Sequence, residues 1–405
     1  MILPRRAAAA NGPLAAGLRV TAAVLSGSIV TLLAAMTVVS GRLARRVVTP
    51  APRVADTRIV GLDTAAQTIT LDRTPDTRLP GRYGLFTSGA ETYVKLGSVL
   101  TESDTTVKRK LLTHIERGAR LGAEAAFSGW YYDRPEQLQV PYSPELIGSP
   151  LGPCPAWLFP AAQPSDLWVI QIHGRGTTRA EALRAVPVFR DLGLTSLLVS
   201  YRNDGEAPRS RQGTYTLGAT EWRDVDAAVA FARRRGARRI VLMGWSMGGA
   251  IALQLALTSA HREHIAAVVL DSPAIDWADV LRFQAGMLRL PRPIVGMTLG
   301  ALGGEWTGPL RGSGDRIPFD RLDVVARAGE LRHPVLILHS DDDGFVPSDA
   351  SRALARARPD LVTLESFEVA RHTKLWNYDQ DRWTGAIARF LRERGLTAAD
   401  AGEGS

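Results

Sequence analysis

A short glycine-rich stretch carries the residue best suited to act as a nucleophile, Ser246. The stretch reads Gly-Trp-Ser-Met-Gly-Gly over residues 244–249, after an apolar run and before a helical pattern. A strand, a tight turn and a helix in this order lift a serine above the sheet and direct the positive helix end at its hydroxyl. Glycines two residues before and after the serine leave room for a strained backbone. A bare G-x-S-x-G also arises by chance, so other motifs must support the prediction.

A second motif could supply hydrogen-bond donors for a developing oxyanion. His-Gly-Arg-Gly occupies residues 173–176, directly after a predicted strand. The backbone N–H of Arg175 or Gly176 could pair with the N–H of Met247 to bind that oxyanion. Each such donor stabilises a transition state by about 3 kcal/mol. His173 itself is predicted to be structural and to bond the loop backbone.

Aspartates that could orient a histidine follow a later predicted strand. The sequence from residue 339 is His-Ser-Asp-Asp-Asp-Gly-Phe-Val-Pro. Asp343 is the favoured acid, since its distance from the Val-Pro pair matches the H-G-x-x-D-x-x-V-P pattern of such loops. Asp341 and Asp342 could instead be solvated turn residues or loop caps. Asp271, at the end of the preceding strand, is a further alternative.

His372 is the candidate general base. It lies between a predicted strand at 362–367 and the last predicted helix, after both the serine and the acid. The chain order Ser246, Asp343, His372, with each residue after a predicted strand, favours a hydrogen-bonded triad.

The elements that hold these residues alternate between strands and helices. From about residue 141 to 395 short apolar runs alternate with helical patterns, which predicts a parallel, doubly wound α/β sheet. Residues 273–330 interrupt the alternation with tryptophans, prolines and an aliphatic, glycine-rich stretch.

These motifs together resemble the α/β-hydrolase superfamily over roughly residues 141–395. The resemblance implies an α/β-hydrolase fold: a mostly parallel eight-stranded sheet, helices on both faces, and a cap inserted at about 273–330. It implies that Ser246 is the nucleophile, His372 the base and then the acid, and Asp343 the orienting acid. Met247 with Arg175 or Gly176 would form the oxyanion hole. Ser340 departs from many relatives, which carry glycine after the histidine.

The residues before this catalytic region predict two further parts. Residues 1–46 are predicted to be a membrane anchor, because Val20–Ser40 is uncharged and as a helix spans about 31 Å. A cleaved signal peptide is the alternative. Residues 47–140 predict a small, mainly β region, and residues 396–405 a flexible tail.

Charge and cysteine content exclude several classes of protein. Six of the eight excess positive charges lie in residues 1–50, beside the apolar segment, so the basicity indicates a membrane rather than nucleic acid. The single cysteine, Cys154, excludes an internal disulfide framework. The motifs imply neither a metal nor an organic cofactor, and no obligate protein partner is evident.

The expected activity is serine-dependent hydrolysis of carboxylic esters, of small molecules or lipids, by a single-pass protein of the cell membrane. Arginines on both sides of the apolar segment leave its orientation open, and the free amino group slightly favours an extracytoplasmic catalytic domain. A serine peptidase similar to the prolyl-oligopeptidase-like hydrolases, a thioesterase or acyltransferase, and a non-catalytic membrane-tethered binding module remain alternatives.

Overall fold

The computed structural model describes residues 13–87, 92–305, 307–310 and 314–398. Residues 1–12 of the predicted anchor and 399–405 of the predicted tail lie outside these ranges. Residues 396–398 pack against the body of the chain, because Leu396 is buried and the N–H of Ala398 donates to the carbonyl of Leu192.

The helices run as follows: α1 Pro13–Val48, α2 Val186–Asp191, α3 Trp222–Arg234, α4 Met247–Thr258, α5 Trp277–Met287, α6 Arg292–Gly303, α7 Phe319–Leu322, α8 Asp349–Ala357, α9 Leu375–Tyr378 and α10 Gln380–Arg392. The strands run as follows: β1 Thr57–Asp63, β2 Thr68–Asp72, β3 Tyr83–Thr87, β4 Thr92–Glu102, β5 Thr106–Leu111, β6 Glu124–Ser128, β7 Ser143–Ser149, β8 Gly152–Phe159, β9 Leu167–Ile172, β10 Thr195–Val199, β11 Arg239–Trp245, β12 Ile265–Asp271, β13 Val335–Ser340 and β14 Val362–Phe367.

Helix α1 changes character along its length. Towards its middle it exposes apolar side chains such as Val24 and Val30, and by length and composition the helix could cross a membrane or serve as a signal sequence. Its last turns are different, because Ala44 and Val48 are fully buried in the core of the catalytic region. The helix is therefore continuous with the folded body that follows it.

Strands β1–β6 close into a small barrel in the order β1-β2-β5-β4-β3-β6. The amphipathic segment that begins at Val107 is strand β5, since its buried residues alternate with exposed ones. One of the buried residues is Arg109, whose guanidinium donates to the carbonyls of Thr77, Leu79, Gly81 and Gly97. Burial lowers the pKa of Arg109 to about 10.

Strands β7–β14 form an eight-stranded sheet in the order β14-β13-β12-β11-β9-β10-β8-β7. Neighbouring strands are parallel except at β8, which is antiparallel to both β7 and β10. The sheet has a hydrophobic core on each face, and successive residues of a strand point into one core and then the other. In β11, for example, Leu242 packs towards α3 and α4, and Val241 packs towards α2 and α10. Because parallel strands end at one edge, the loops after β9, β11, β13 and β14 meet there.

The predicted cap is the insertion between β12 and β13 that contains α5, α6 and α7. It contacts the end of α1 directly. The Ser40 hydroxyl donates to the carbonyl of Ile294 over 3.3 Å, and the guanidinium of Arg45 donates to the carbonyl of Pro309 over 2.9 Å. The cap thus joins the long N-terminal helix to the catalytic sheet.

This packing predicts that the end of α1 is needed for stability. Ala44→Asp places an unpaired carboxylate where the wild-type residue has no exposed surface, which should cost at least about 2 kcal/mol. The thermal unfolding midpoint of the purified full chain measures this cost. Ala55→Asp, at an exposed position just after the helix, is the matched control and should leave the midpoint nearly unchanged. Equal midpoints for the two variants would contradict the burial of α1.

Candidate active site

Ser246 occupies a strained turn between β11 and α4. Its backbone has φ 52° and ψ −115°, a region that non-glycine residues rarely adopt. A Cβ on Gly244 would lie 2.4 Å from the carbonyl oxygen of Gly248, and one on Gly248 would lie 2.1 Å from that of Ile172. Both positions therefore require glycine, and the turn holds the serine hydroxyl at the carboxyl edge of the sheet.

A chain of hydrogen bonds joins the three residues predicted as a triad. His372 Nε2 lies 3.0 Å from Ser246 Oγ, and His372 Nδ1 lies 2.7 Å from Asp343 Oδ2. Because an ionised carboxylate only accepts, Nδ1 donates to Asp343 and Nε2 is left to accept the serine proton. This tautomer is the one a general base at Ser246 requires.

Asp343 is held as a buried anion. Its Oδ1 accepts from the backbone N–H groups of Phe345 and Val346, and His339 Nε2 lies 3.3 Å from its Oδ2. Burial by itself would raise the pKa of Asp343. The charge of His372 and hydrogen bonds from His339 and His372 outweigh that effect and hold the pKa well below its ordinary value. The carboxylate stays ionised where a histidine titrates.

The other aspartates weighed from the sequence have other partners. Asp341 pairs with Arg352, and Asp342 accepts from the backbone N–H of Arg371. Asp271 accepts from Trp383 Nε1 over 2.8 Å and from the hydroxyl of the adjacent serine, and burial raises its pKa. None of the three is hydrogen-bonded to His372.

Ser340, the departure from the family pattern, connects two loops of the site. Its hydroxyl donates to Asp342 Oδ1 over 2.7 Å and accepts from the backbone N–H of Ala370 over 2.8 Å. A glycine at this position could make neither bond. The serine therefore couples the loop of the acid to the loop of the histidine.

The loop that carries His372 has a strained backbone and is stabilised by a residue from another part of the chain. Arg371 and Thr373, on either side of His372, have φ of 60° and 50°. Such values are uncommon for non-glycine residues and unusual for a β-branched one. Arg184, which is 1% exposed, donates to the carbonyls of Thr373 and Gly129, each over 2.8 Å. Sequence reasoning missed Arg184, because an arginine in a helical pattern gives no sign of burial.

The barrel also supports this loop. Asp76 pairs with the Arg371 guanidinium over 3.3 Å and with Lys374 over 3.5 Å. Barrel residues Ser128 and Trp130 line a cavity of about 310 Å³ together with His372. The β-rich region therefore forms part of the wall of the site, although nothing in its sequence indicates a catalytic role.

The turn after β9 lies beside the serine, as its sequence predicts. A Cβ on Gly174 would lie 3.4 Å from the Cβ of Ser246, so the two backbones are in contact. Met247 is the first residue of α4, and its N–H therefore has no acceptor within the helix. The Arg175 side chain points away and donates to the carbonyls of Arg46 and Thr49, where it caps the end of α1.

His173 is buried and has structural partners. Its Nε2 lies 3.1 Å from Asp204 Oδ2, and its ring stacks on Tyr201 with centroids 4.3 Å apart. Nearby, Arg202 pairs with the buried Asp224 over 2.7 Å. Both contacts stabilise the backbone below the oxyanion turn.

Comparison with known proteins identifies the family. The model of the alpha/beta hydrolase family matches residues 169–387, more than half of the chain, and the chain belongs to this family. Residues 58–128, which include most of the barrel, match a domain of unknown function, DUF8805. A search of curated proteins gives no match.

Several solved structures are similar to this chain, and the first of them, with a TM-score above 0.5, shows the same fold. An esterase from Pyrococcus furiosus aligns with a TM-score of 0.51 at 19% identity, over 64% of this chain and 94% of the esterase. Est1E from Butyrivibrio proteoclasticus aligns at 0.46 and 19%, over 62% and 98%. A bromoperoxidase from Bacillus anthracis aligns at 0.46 and 17%, over 62% and 100%. At these identities the likeness shows the fold alone, and the roles of the site residues remain predictions.

The support of the histidine loop predicts a rate effect for Arg184→Lys. The shorter lysine side chain cannot place its nitrogen where Arg184 Nη1 bonds both carbonyls, so the loop should shift and kcat should fall about tenfold, with KM little changed. Steady-state kinetics on a soluble ester measure both constants. Arg190→Lys, on the same stretch but bonded only to the carbonyl of Pro160, is the matched control. An unchanged kcat in Arg184→Lys would contradict the positioning role.

The depressed pKa of Asp343 predicts a pH-dependent contribution to stability. The ionised side chain stabilises the folded state fully above the unfolded pKa of about 4, and this contribution is lost as the pH falls towards the folded pKa. Asp343→Asn should therefore lower the unfolding midpoint more at pH 6 than at pH 3. A difference between wild type and variant that is the same at both pH values would contradict the assignment.

Proposed function

We propose that this chain is a membrane-anchored serine hydrolase that cleaves carboxylic esters through an acyl-serine intermediate. The observation that carries the proposal is the hydrogen-bonded chain from Ser246 Oγ through His372 to the buried carboxylate of Asp343. The base lies within hydrogen-bond reach of both the nucleophile and the orienting acid, as general-base activation of a serine requires.

In this mechanism Ser246 Oγ attacks the ester carbonyl carbon while His372 Nε2 takes the hydroxyl proton. The resulting imidazolium is stabilised by Asp343, and it then donates its proton to the leaving alkoxide as the ester C–O bond breaks. Water repeats the sequence on the acyl-serine, with His372 again as base, and releases the carboxylic acid. The strained backbone at Ser246 keeps the hydroxyl in position in both steps.

The oxyanion is stabilised by two backbone N–H groups. One is that of Met247, which lies at the positive end of α4. The other is that of Arg175 or Gly176, in the turn that lies beside Ser246.

The burial of Ala44 and Val48 supports a retained anchor rather than a cleaved signal. Cleavage beyond Val48 would remove two residues that the catalytic core buries, together with the Arg46 carbonyl that Arg175 caps. The protein then remains in the cell membrane as a single-pass protein, with the catalytic domain on the extracytoplasmic side.

Hydrolysis of p-nitrophenyl acetate and butyrate tests the proposal. Ser246→Ala and His372→Ala should each lower kcat at least about 10⁴-fold, because each removes a group that acts in both steps. Ser103→Ala, at an exposed barrel turn, is the matched control and should keep wild-type kinetics.

Two further substrates separate the alternatives. Faster turnover of aminoacyl nitroanilides would indicate a peptidase, and faster turnover of acyl thioesters a thioesterase. Ester hydrolysis that survives Ser246→Ala would contradict the assignment of the nucleophile.

A further inference from the structure

A largely apolar cavity of about 320 Å³ lies between the end of α1, the cap and the active site. Leu43 and Val47 of α1 form one wall, and Leu281, Val295 and Leu299 of the cap form another. The α1 residues precede the region matched by the hydrolase family, which begins at residue 169. The cavity is thus a product of the N-terminal helix of this chain.

The inner end of the cavity lies next to the triad. Its lining includes Phe345, whose ring centroid is 5.1 Å from that of His372. The lining also includes Arg175, the residue after Gly174, which contacts Ser246. An apolar group in the cavity can therefore be attached to a carbonyl carbon that lies at the serine.

The outer end of the cavity lies towards the membrane. Near the start of α6, Ile294 lies beside Ser40 of α1. Further along both helices, Leu299 of α6 and Val47 of α1 line the same cavity. Helices α6 and α1 therefore run in the same direction. The turn between α5 and α6 is therefore on the side of the membrane-spanning part of α1. At this turn Met287 and Leu288 are each 66% exposed, which is unusual for two adjacent large apolar residues.

Positive charge surrounds this apolar turn. Arg289 and Arg292, both exposed, closely follow Met287 and Leu288 in the chain, and the exposed Arg46 lines the cavity itself. Apolar side chains with flanking arginines are suited to an interface that has acyl chains below and anionic headgroups above. A soluble ester would need neither feature.

On the basis of the proposed function, we propose that the cavity holds the acyl chain of a membrane lipid ester that enters from the bilayer at the α5–α6 turn. The chain would lie between α1 and α6 with its carbonyl carbon at Ser246. Attack by Ser246 Oγ transfers the acyl group to the serine, and the lipid alcohol leaves with the proton from His372. Water then releases the fatty acid.

The test uses full-length protein in phosphatidylcholine vesicles and alkyl phosphonofluoridates, which react with an activated serine without ester turnover. Each methylene buried in the cavity should increase apparent affinity about fourfold, so an octyl probe should label Ser246 at least tenfold faster than an ethyl probe. Val295→Trp fills the cavity and should reduce the ratio of octyl to ethyl rates below about threefold. Met297→Trp, on the same helix but outside the cavity lining, should keep the wild-type ratio.

Equal rates for the two probes in wild type, or a ratio that Val295→Trp leaves unchanged, would overturn the cavity proposal and leave the proposed hydrolase intact. If neither probe labels Ser246, the proposed function fails as well.

The route of entry has its own measurement. A fluorogenic long-chain ester is supplied either within vesicles or as a dilute solution with detergent-solubilised protein. Met287→Asp, which places a charge at the turn, should lower the ratio of vesicle to solution rates at least fivefold. An unchanged ratio would overturn entry from the bilayer and indicate a soluble long-chain ester as the source.

Discussion

The site depends on one strained residue, Ser246, whose backbone is kept at positive φ between a strand and a helix. The strained turn is possible because Gly244 and Gly248 pack closely against backbone carbonyls, where a side chain would not fit. The strand is fixed between two hydrophobic cores, so the serine cannot relax without disturbing both. Its hydroxyl makes no cap bond to α4 and instead contacts His372. The packing of the sheet thereby fixes the position of the Ser246 hydroxyl oxygen.

The opposite half of the site is held by polar groups rather than by a single turn. His372 lies on a loop with unfavourable dihedral angles on both sides, and its position is stabilised by Ser340, by Arg184 and by the barrel residue Asp76. These groups come from three different parts of the chain. The barrel and the catalytic domain therefore act as one unit at the site, which explains why a β-rich region without catalytic motifs precedes the hydrolase. Helix α1 also supports the site, because the Arg175 side chain, next to the turn beside Ser246, donates to carbonyls at the end of this helix.

The fold could be predicted from local sequence, and much of the site's support could not. Alternating apolar runs and the Gly-Trp-Ser-Met-Gly-Gly turn led to the α/β-hydrolase fold, since each signal lies within a few residues. The partners of Arg184 and Asp76 lie far away in sequence, and no local pattern indicates them. The burial of Ala44 was missed because a continuous apolar run gives no sign of the point at which a helix enters the protein core.

The central claim is that Ser246 is an activated nucleophile, and covalent labelling tests it most directly. Full-length protein is treated with a fluorophosphonate probe, and the modified peptide is identified by mass spectrometry. The account predicts one adduct per chain, on Ser246, formed by wild type and lost in His372→Ala, because only the histidine can take the hydroxyl proton. Folded wild type that forms no adduct, or an adduct on another residue, would contradict it.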